Sequence, residues 1–454
     1  MTRTLLITLA AVLALAAPAS AASKTTFTIK GAGFGHGVGM SQYGAMGYAS
    51  HGWNAAQILG HYYSGTSLGT TDPNRRLRIQ LVGETSSARI SGARQAGSRR
   101  LDPAVTYTLK RRGLTQVELS AHRRRVAVFD APLQVAGLNG VTALGGHGSY
   151  RGVLEFEPTV FKGLTVTNIV GLDEYLQGVV PAESPAYWPA EALRAQAIAA
   201  RTYAITTAAS ADFDHYADTR SQVYAGVGVE TAATNAAVAD TRGQVVTFQG
   251  QPVVTYFFST SGGKTESVEN TTLGSEPKPW LVSVDDEFDD VSPRHRWTAT
   301  MSMKAAGKKL RGLYTGRFRG IRVLRRGASP RIMQAEVVGS RGTSPVDGAT
   351  LRAKLDLFDT WAYFTSISGK AAAPTGAAEA PRPFAMAARA AVGVLRGTVI
   401  GDGSSGTVQM RRDGAWVDVG AVRIGRSGAY AWTARSRGVY RLVVDGAIGP
   451  AVRL

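Results

Sequence analysis

Residues 31–45 of the chain read GAGFGHGVGMSQYGA, with glycine at positions 31, 33, 35, 37, 39 and 44 around the single histidine of the stretch, His36. The preceding residues 25–30 (TTFTIK) alternate apolar and polar side chains, which predicts a β-strand leading into the glycines. Residues 40–48 are compatible with a helix, so the run is not a flexible linker. Alternating glycines leave one face of an extended chain bare, and either a ligand or another backbone segment can then approach closely.

Neither of the common phosphate-binding glycine motifs fits this run. A dinucleotide fingerprint requires G-x-G-x-x-G, and every possible start puts another residue at the third glycine position. A P-loop requires a lysine after its last glycine, and the sequence has no lysine between Lys30 and Lys110. The run therefore excludes a nucleotide site of either kind.

The first 21 residues have the composition of a secretory signal peptide. Arg3 gives a basic start, residues 5–17 are apolar, and residues 19–21 (ASA) suit a cleavage site. The apolar run is too short to span a membrane, and a buried N-terminal helix is the alternative interpretation. We expect a secreted or cell-envelope protein that is not transmembrane once residues 1–21 are removed.

The chain of 454 residues contains no cysteine. It is long enough for two or three domains, and each must be held by its own hydrophobic core because no disulfide bond can form. A thiolate zinc site and a thiol nucleophile are excluded for the same reason.

The formal net charge is +18, and the excess of basic residues is concentrated in two runs. Residues 89–125 hold ten Lys or Arg against two acidic residues, and residues 304–331 hold ten with none. In an exported protein such runs favour anionic cell-wall polymers as partners over nucleic acid. A solvated basic surface without a specific partner is the alternative.

The order of segments predicts an α+β fold across residues 25–369. Short alternating segments between about 76 and 170 indicate a β-rich subdomain. Two helices follow, over residues 172–180 and 190–208, the second with one small apolar face. Strands resume at residues 244–248 and 253–258.

The C-terminal part of the chain has a different composition. Residues 370–390 are rich in alanine and proline and predict a linker. Residues 391–454 return to short alternating strands, which predicts a small all-β sandwich, with an immunoglobulin-like arrangement as one possibility. This segment offers no cluster of catalytic residue types.

Three blocks of the sequence together resemble the SpoIID/LytB family of cell-wall proteins. The first block is GHGVGMSQYGA, followed by HYY at 61–63. The second is LDEYL at 172–176, followed by GVVPAESPAYWPAEALRAQAIAARTYA at 178–204. The third joins SQVY at 221–224 to YFFSTSGG at 256–263. The blocks cover most of residues 30–290.

The resemblance implies a function in the bacterial cell wall. The best-studied members are lytic transglycosylases that cleave peptidoglycan glycan strands, and others are described as enhancers of a wall amidase. Their catalytic glutamate lies in E-x-P-x-x-W-P-x-E-A-L, which places it at Glu183 here. The implied partners are thus glycan strands and, in the second case, a wall amidase, with no cofactor.

This sequence departs from the family pattern in three ways. The glycine–histidine block usually follows the Ser-Gly-Gly block, whereas here it precedes it, as after a circular rearrangement. Some members carry two cysteines before Gln-Val-Tyr, associated with zinc, and residues 215–221 contain none, so we predict no metal. Ser184 stands where methionine commonly follows the catalytic glutamate.

The residue types around Glu183 suit a general acid. Its sequence neighbours include Val179, Val180, Pro185 and Trp188, and an apolar environment disfavours the charged carboxylate and raises its pKa. An exposed helix-end carboxylate is the alternative. A hydrolase needs a second carboxylate, and none stands out among Asp173, Glu174, Asp218, Glu266 and Glu269. A lytic transglycosylase needs only one.

The resemblance also suggests substrate-side groups. His36, Ser41 and Gln42 would form one wall of a groove, and Ser259, Ser261, Gly262 and Gly263 another. Arg201 could orient Glu183 or meet an anionic group on the sugar. Trp188 and Tyr224 complete the predicted substrate-binding set. The alternatives are a structural role for His36 and core packing for the aromatic residues.

Overall fold

The structure is a computed structural model that describes residues 26–367, 385–391, 394–400, 405–412, 415–425, 429–434, 436–444, 447–448 and 451–453. The predicted signal peptide (residues 1–21) and residues 370–384 of the predicted linker lie outside the described residues. In these ranges the chain divides into two compact units. One contains residues 29–299 and 309–363, and the other contains the described parts of residues 1–28, 300–308 and 364–454.

The described residues form seven α-helices. They are α1 (Gln42–Ser50), α2 (Ala55–Tyr62), α3 (Leu172–Glu183), α4 (Ala190–Thr206), α5 (Ala232–Asp240), α6 (Met303–Lys309) and α7 (Gly348–Leu355).

The strands of the first half of the chain are β1 (Thr26–Gly31), β2 (Met40–Ser41), β3 (Ser67–Thr70), β4 (Arg76–Thr85), β5 (Ala88–Ser91), β6 (Ala93–Ala96), β7 (Arg99–Arg100), β8 (Tyr107–Arg112), β9 (Gln116–Ala121), β10 (Arg124–Asp130), β11 (Leu133–Leu144), β12 (Gly148–Pro158), β13 (Leu164–Gly171) and β14 (His215–Tyr216). Those of the second half are β15 (Gln244–Phe248), β16 (Gln251–Pro252), β17 (Phe257–Phe258), β18 (Trp297–Ser302), β19 (Tyr314–Thr315), β20 (Phe318–Arg326), β21 (Ile332–Gly339), β22 (Gly342–Asp347), β23 (Ala362–Ile367), β24 (Ala385–Ala391), β25 (Val394–Ile400), β26 (Ser405–Arg412), β27 (Ala415–Arg423), β28 (Ala429–Thr433), β29 (Val439–Val444), β30 (Ala447–Ile448) and β31 (Val452–Arg453).

The predicted α+β class is confirmed, and its largest element is an 11-stranded sheet. The main path of this sheet runs β10-β9-β8-β5-β11-β12-β13-β4-β14, with β6 paired to β11 and β7 paired to β6. The strand pairs of this sheet are antiparallel except for the short strand β14, which lies parallel to β4. Alternate residues of β13 and β4 enter a common core, which α3 covers with Leu172, Leu176 and Val180.

Helix α4 is buried on two sides, whereas the sequence predicted a single apolar face. Ala197, Ala200 and Ala204 belong to the core that α3 shares with the large sheet. Ala195, Ile198 and Ala199 belong to a second core with α1 and α2. Alanine allows both neighbours to approach closely and keeps a high helix propensity. The small side chains of α4 therefore place α1 and α3 on either side of one helix.

The glycine run packs against protein. Gly33, Gly35, Gly37 and Gly39 all have positive φ. A Cβ at Gly37 would lie 2.4 Å from Nε of Arg331, and one at Gly39 would lie 2.1 Å from the carbonyl oxygen of Tyr256. Of the two interpretations left open by the sequence, the close approach of another chain segment is the one realised along this stretch.

Residues 253–258 do not form the continuous strand that their composition predicts. Within this segment only β17 is a strand, and β16 ends at Pro252, just before it. Between them the backbone changes partners, since Val253 N–H donates to Val246 and the Tyr256 carbonyl accepts from Met40 N–H. The local pattern indicates extended backbone, but the hydrogen-bond partners come from elsewhere in the chain.

The C-terminal strands form two sheets around one core. The first sheet has the order β24-β25-β28, and the second contains β26, β27, β29, β30 and β31. Leu395 and Tyr430 of the first meet Val408, Tyr440 and Leu442 of the second in a shared cluster. This is a β-sandwich arrangement. Strand β24 begins at Ala385, inside the predicted linker (370–390), because its backbone pairs with β25 over residues 394–400.

Replacing Gly39 by alanine is expected to destabilise the larger unit by more than about 2 kcal/mol, because the new Cβ meets backbone and the φ of +76° disfavours any L side chain. Gly60→Ala is the matched control, since no atom lies within 4 Å of a Cβ there. In the helix α2 this change should stabilise by about 0.5–1 kcal/mol. Urea denaturation of both variants, followed by tryptophan fluorescence, measures the difference. Equal effects would contradict the close packing at Gly39.

Candidate functional site

Glu183 is the last residue of α3 and lies partly buried in the larger unit. Its Oε1 accepts a hydrogen bond from Val223 N–H at 3.0 Å, and its Oε2 accepts one from Gln42 Nε2 at 3.2 Å. Ser184 is the C-cap residue of the helix, and its N–H donates to the Val180 carbonyl. Gln42 belongs to the first of the three sequence blocks and Val223 to the third. Both of these blocks therefore form a hydrogen bond with Glu183, which belongs to the second.

Burial raises the pKa of Glu183 above its ordinary value, and the hydrogen bonds from Val223 and Gln42 oppose this shift without cancelling it. The position at the C-terminal end of α3 acts in the same direction as burial, because the helix dipole places partial negative charge there. The protonated acid therefore persists to higher pH than in water. A shift in this direction makes the carboxyl group better suited to act as a general acid.

Gln42 reaches Glu183 because the N-terminal block docks on the Ser-Gly-Gly block. Strand β2 pairs in parallel with β17, matching Met40 with Phe257 and Ser41 with Phe258. Ser41 then caps α1 by accepting from Gly44 N–H, and Gln42 is the first residue of that helix. The two blocks are adjacent in space although more than 200 residues separate them in the chain.

Ser41, Ser261 and Gly262 converge on Asp289. The Asp289 carboxylate accepts from Ser41 Oγ at 2.9 Å, from Ser261 N–H at 2.8 Å and from Gly262 N–H at 2.9 Å. His295 Nδ1 lies 2.9 Å from the same carboxylate. Asp289 and Ser41 are fully buried. These polar groups therefore hold the two blocks together inside the protein.

Ser259, Gly263 and Trp188 lie at the edges of this junction. The Ser259 carbonyl accepts from Tyr43 N–H at 3.0 Å, next to Gln42. The ring of Tyr43 meets that of Trp188 edge-on, with centroids 5.0 Å apart. Trp188 is itself buried. Gly263 N–H donates to Ser261 Oγ at 2.9 Å.

His36 is held by both of its ring nitrogens. Nδ1 accepts from Val38 N–H at 3.1 Å, so Nε2 carries the proton and donates to the Phe257 carbonyl at 3.0 Å. Burial lowers the pKa of His36 to about 4, and the nearby guanidinium groups of Arg352 and Arg331 act in the same direction. The ring is neutral at physiological pH and stabilises the glycine run. Its two hydrogen-bond partners are backbone groups, and neither is Glu183.

Arg201 and Tyr224 lie inside the fold. Arg201 is completely buried, forms an ion pair with Asp173 at 2.9 Å, and donates to the carbonyls of Val238 and Gln244. The hydroxyl of Tyr224 donates to Asn168 Oδ1 at 2.9 Å. The structure does not bring either side chain to a surface that a substrate can reach.

The candidate second carboxylates are engaged elsewhere or distant. Asp173 and Glu183 are ten residues apart in α3, which corresponds to roughly 15 Å along the helix axis and exceeds the spacing of paired catalytic carboxylates. Glu174 caps α3, and Asp218 pairs with Arg220. Glu266 is fully buried and accepts from the backbone of Ala328 and from Ser329.

The sequence did not single out Asp286, Asp289 or Tyr187. The two aspartates lie in VDDEFDD (residues 284–290), a dense acidic run in a strongly basic chain, which was the available signal. Tyr187, four residues after Glu183, is 82% exposed. A large aromatic ring that is exposed in the same segment as a partly buried acid is a suitable surface for stacking on a sugar.

Residues 161–248 match the family model described as SpoIID, Stage II sporulation protein. The chain carries a SpoIID domain. The matched range contains α3, α4 and Glu183, while the glycine–histidine block lies outside it. The predicted relation to the SpoIID/LytB family is thereby confirmed.

Three curated relatives are similar to parts of this chain. Stage II sporulation protein D of Bacillus amyloliquefaciens is 32% identical over 208 residues, covering 41% of this chain and 58% of the relative. Stage II sporulation protein D of Bacillus subtilis (strain 168) is 35% identical over 159 residues, covering 31% and 46%. The protein named amidase enhancer of the same strain is 37% identical over 134 residues, covering 30% and 18%. The chain thus spans less than two thirds of the length of each of these relatives.

Two further observations apply to the described part of the chain. No helix in it is both long and apolar enough to cross a membrane. No group of three or more His, Cys, Asp or Glu side chains in it has the arrangement of a metal site.

Asp286 lies close to Asp289, in the same acidic run, and its carboxyl group is also buried. Tyr62 donates to its Oδ1 at 2.9 Å, whereas Oδ2 has no hydrogen-bond partner among the described residues. Burial, together with the negative charge of Asp289, raises the pKa of Asp286 to about 7. The Asp286 carboxyl group therefore stays protonated to higher pH in the folded protein than in the unfolded chain.

The stabilising effect of this proton is fully present below pH 3.8, the ordinary pKa, and is lost as pH rises through about 7. We expect Asp286→Asn to remove this loss, so that the variant gains a few kcal/mol relative to the wild type between pH 4 and 8. Denaturant unfolding of both proteins across this pH range is the measurement. Parallel stability curves would show that Asp286 ionises in the folded protein as easily as in water.

Proposed function

We propose that this protein is a cell-envelope lytic transglycosylase that cleaves peptidoglycan glycan strands between MurNAc and GlcNAc. The observation that carries the proposal is the environment of Glu183, a partly buried carboxyl with a raised pKa. Gln42, from the block that the resemblance assigns to the substrate groove, contacts it at 3.2 Å. The SpoIID domain match over residues 161–248 supports the choice of substrate class.

In the proposed reaction Glu183 acts twice. As an acid it protonates the glycosidic oxygen while the bond from this oxygen to C1 of MurNAc breaks. As a carboxylate it then accepts the proton of the C6 hydroxyl of the same sugar, whose oxygen bonds to C1 and closes the 1,6-anhydro ring. The residue ends in its starting protonation state, and no water is consumed.

A single carboxyl group is sufficient for this route. Inverting and retaining hydrolases position a second carboxylate about 5 to 9.5 Å from the first. Asp173, on the same helix, forms an ion pair with Arg201. The arrangement around Glu183 accordingly supports the anhydro-forming reaction over hydrolysis.

Gln42 and Val223 would tune Glu183 through their hydrogen bonds. Both stabilise the ionised form, which the second half of the reaction requires. Burial stabilises the protonated form, which the first half requires. A carboxyl group balanced in this way serves both steps at one pH.

Binding of the glycan strand would use the exposed ring of Tyr187 and the surface near Ser259 and Gly263. Anionic wall polymers are proposed as further partners through exposed arginines of residues 89–125, among them Arg112, Arg124 and Arg125. We propose secretion through the signal peptide (residues 1–21), and neither a nucleic acid nor a cofactor is part of the proposal.

A second candidate function is a non-catalytic one. The relative named amidase enhancer is 37% identical over 134 residues, which favours a wall protein that stimulates an N-acetylmuramoyl-L-alanine amidase. In that case Glu183 would serve the fold or the amidase contact. The two functions differ in whether the isolated protein changes glycan strands.

Replacing Glu183 by glutamine is expected to lower the release of anhydro-MurNAc ends from purified glycan strands by about 10²-fold or more, because the proton donor is lost. Mass spectrometry of the products is the measurement. Glu174→Gln is the matched control on the same helix, where glutamine can still accept from Gly171 N–H. If wild-type protein releases no anhydro ends but accelerates a wall amidase, and Glu183→Gln does so equally, the enzymatic proposal is wrong.

A separate prediction concerns pH dependence. Gln42→Met removes a donor that stabilises the ionised form of Glu183, so the pKa of Glu183 should rise further. The alkaline limb of kcat/KM, where the acid loses its proton, should move to higher pH. A pH profile of cleavage measures this shift. A lower rate with an unmoved alkaline limb would assign Gln42 a purely structural role.

A further inference from the structure

The larger unit contains a cavity of about 610 Å³ whose lining includes residues from the glycine run, the loop 269–272, β21 and α7. A volume of this size is typical of small-molecule sites. Gly35 and His36 belong to its lining, whereas Glu183, Gln42 and Val223 do not. The cavity is therefore a different place from the proposed catalytic site.

Arg352 is the distinctive group of this cavity. It lines the space from the last turn of α7 and is partly buried. The one hydrogen bond of its guanidinium group to the described residues runs from Nε to the Leu357 carbonyl at a long 3.4 Å. No carboxylate of the described residues forms an ion pair with it. The dipole of α7 favours a cation at this end of the helix. Neither Nη group of Arg352 has a hydrogen-bond acceptor among the described residues.

Arg331 also belongs to the lining, and it is fully buried as a pair with Asp359, joined by two hydrogen bonds of 2.9 and 2.8 Å. Their charges compensate each other. Burial is the largest factor acting on the pKa of Arg352 and lowers it. The negative charge of Asp359 raises this pKa, and the positive charge of Arg331 lowers it. The lining thus contains one partly buried guanidinium group, that of Arg352, with no carboxylate of the described residues in an ion pair with it.

The acidic residues of the lining are differently placed. Asp356 pairs with Lys309, and Asp347 caps α7 by accepting from Thr350 N–H. Glu269 and Arg325 are exposed at the rim, where water and salt screen their charges. A charge in the partly buried position of Arg352 acts over a shorter distance in a lower dielectric, so it dominates the selectivity for a ligand.

The remaining walls are partly apolar. Ile332 and Leu357 are buried side chains that face this space, and Ala349 and Ala353 leave room on the helix side. A guanidinium group presents parallel N–H donors that match the oxygens of a carboxylate or a phosphate. The cavity combines one such donor set with apolar surface.

We propose that this cavity binds a small organic molecule, or the end of a polymer, through an oxyanion group that pairs with Arg352. The shared chemistry is a carboxylate or phosphate attached to a compact, partly apolar body. A carboxylate source would be a peptide end, and a phosphate source would be a polyol phosphate. The proposal does not depend on the proposed activity of Glu183.

The test is isothermal titration calorimetry of the full chain with N-acetyl-D-alanine for the carboxylate and sn-glycerol 3-phosphate for the phosphate. N-acetyl-D-alaninamide is the uncharged comparison. We expect at least one of the two anions to bind, the amide to bind at least tenfold more weakly, and Arg352→Gln to weaken the anion by tenfold or more. The anion that binds more tightly identifies the source.

Lys354→Gln is the matched control, because Lys354 is exposed on the same helix, carries the same charge and does not line the cavity. It should change affinity by less than threefold. Ala349→Phe should also abolish binding, by filling the space without changing charge, while leaving the melting temperature close to that of the wild type. Glu183→Gln should bind the anion normally, which separates this site from the catalytic proposal.

Three results would overturn the proposal. Neither anion binds at 10 mM, Arg352→Gln binds as tightly as the wild type, or Lys354→Gln weakens binding as much as Arg352→Gln does. The last result would mean that only the general positive charge of the chain is being measured.

Discussion

The carboxylate of Asp289 is the interaction on which the site depends. It accepts hydrogen bonds from Ser41 of the N-terminal block and from the backbone of Ser261 and Gly262. A buried carboxylate is costly unless several donors compensate it, so these groups must be in place together for the fold to form. Because Ser41 also caps α1, the same interaction determines where Gln42 lies. The contact between Gln42 and Glu183 is a consequence of this buried cluster.

Other buried charges have a similar organising role in a chain without cysteine. Arg331 pairs with Asp359 and donates to the carbonyls of Ser261 and Lys264, which fixes the Ser-Gly-Gly segment from its other side. Arg201 joins α4 to Asp173 of α3 and to the carbonyl of Val238 in α5. Each charge holds chain segments that are distant in sequence. Hydrogen-bonded ions of this kind specify one arrangement where disulfide bonds are not available.

The relation between the glycine run and the site follows from close packing. The alternating glycines allow Arg331, Phe258 and the Tyr256 carbonyl to approach the backbone within distances that a Cβ would prevent. His36 is neutral and tied to the backbone at both ring nitrogens, so it contributes rigidity to this stretch. Block order along the chain is thus less important than contact between the blocks. A block that precedes its partner by more than 200 residues forms the junction with it.

The sequence by itself determined the fold class, the positions of several helices and strands, and the relation to the SpoIID family. Helices α3 and α4 begin at the predicted residues 172 and 190, and β15 spans the predicted residues 244–248. These features can be predicted because periodicity and motif spacing depend only on residues that are close together in the sequence. The sequence also singled out Glu183 through its motif and its apolar neighbours.

Only the tertiary structure decided which polar residues surround Glu183 and which are internal. Ser41, Ser261, Arg201 and Tyr224 look alike in sequence as polar or aromatic candidates, yet their partners lie between 28 and 248 residues away. No local pattern encodes such distances. The same reason explains why Asp289 and the unpaired Arg352 were not anticipated, since a buried ion acquires its meaning from groups that the fold brings around it.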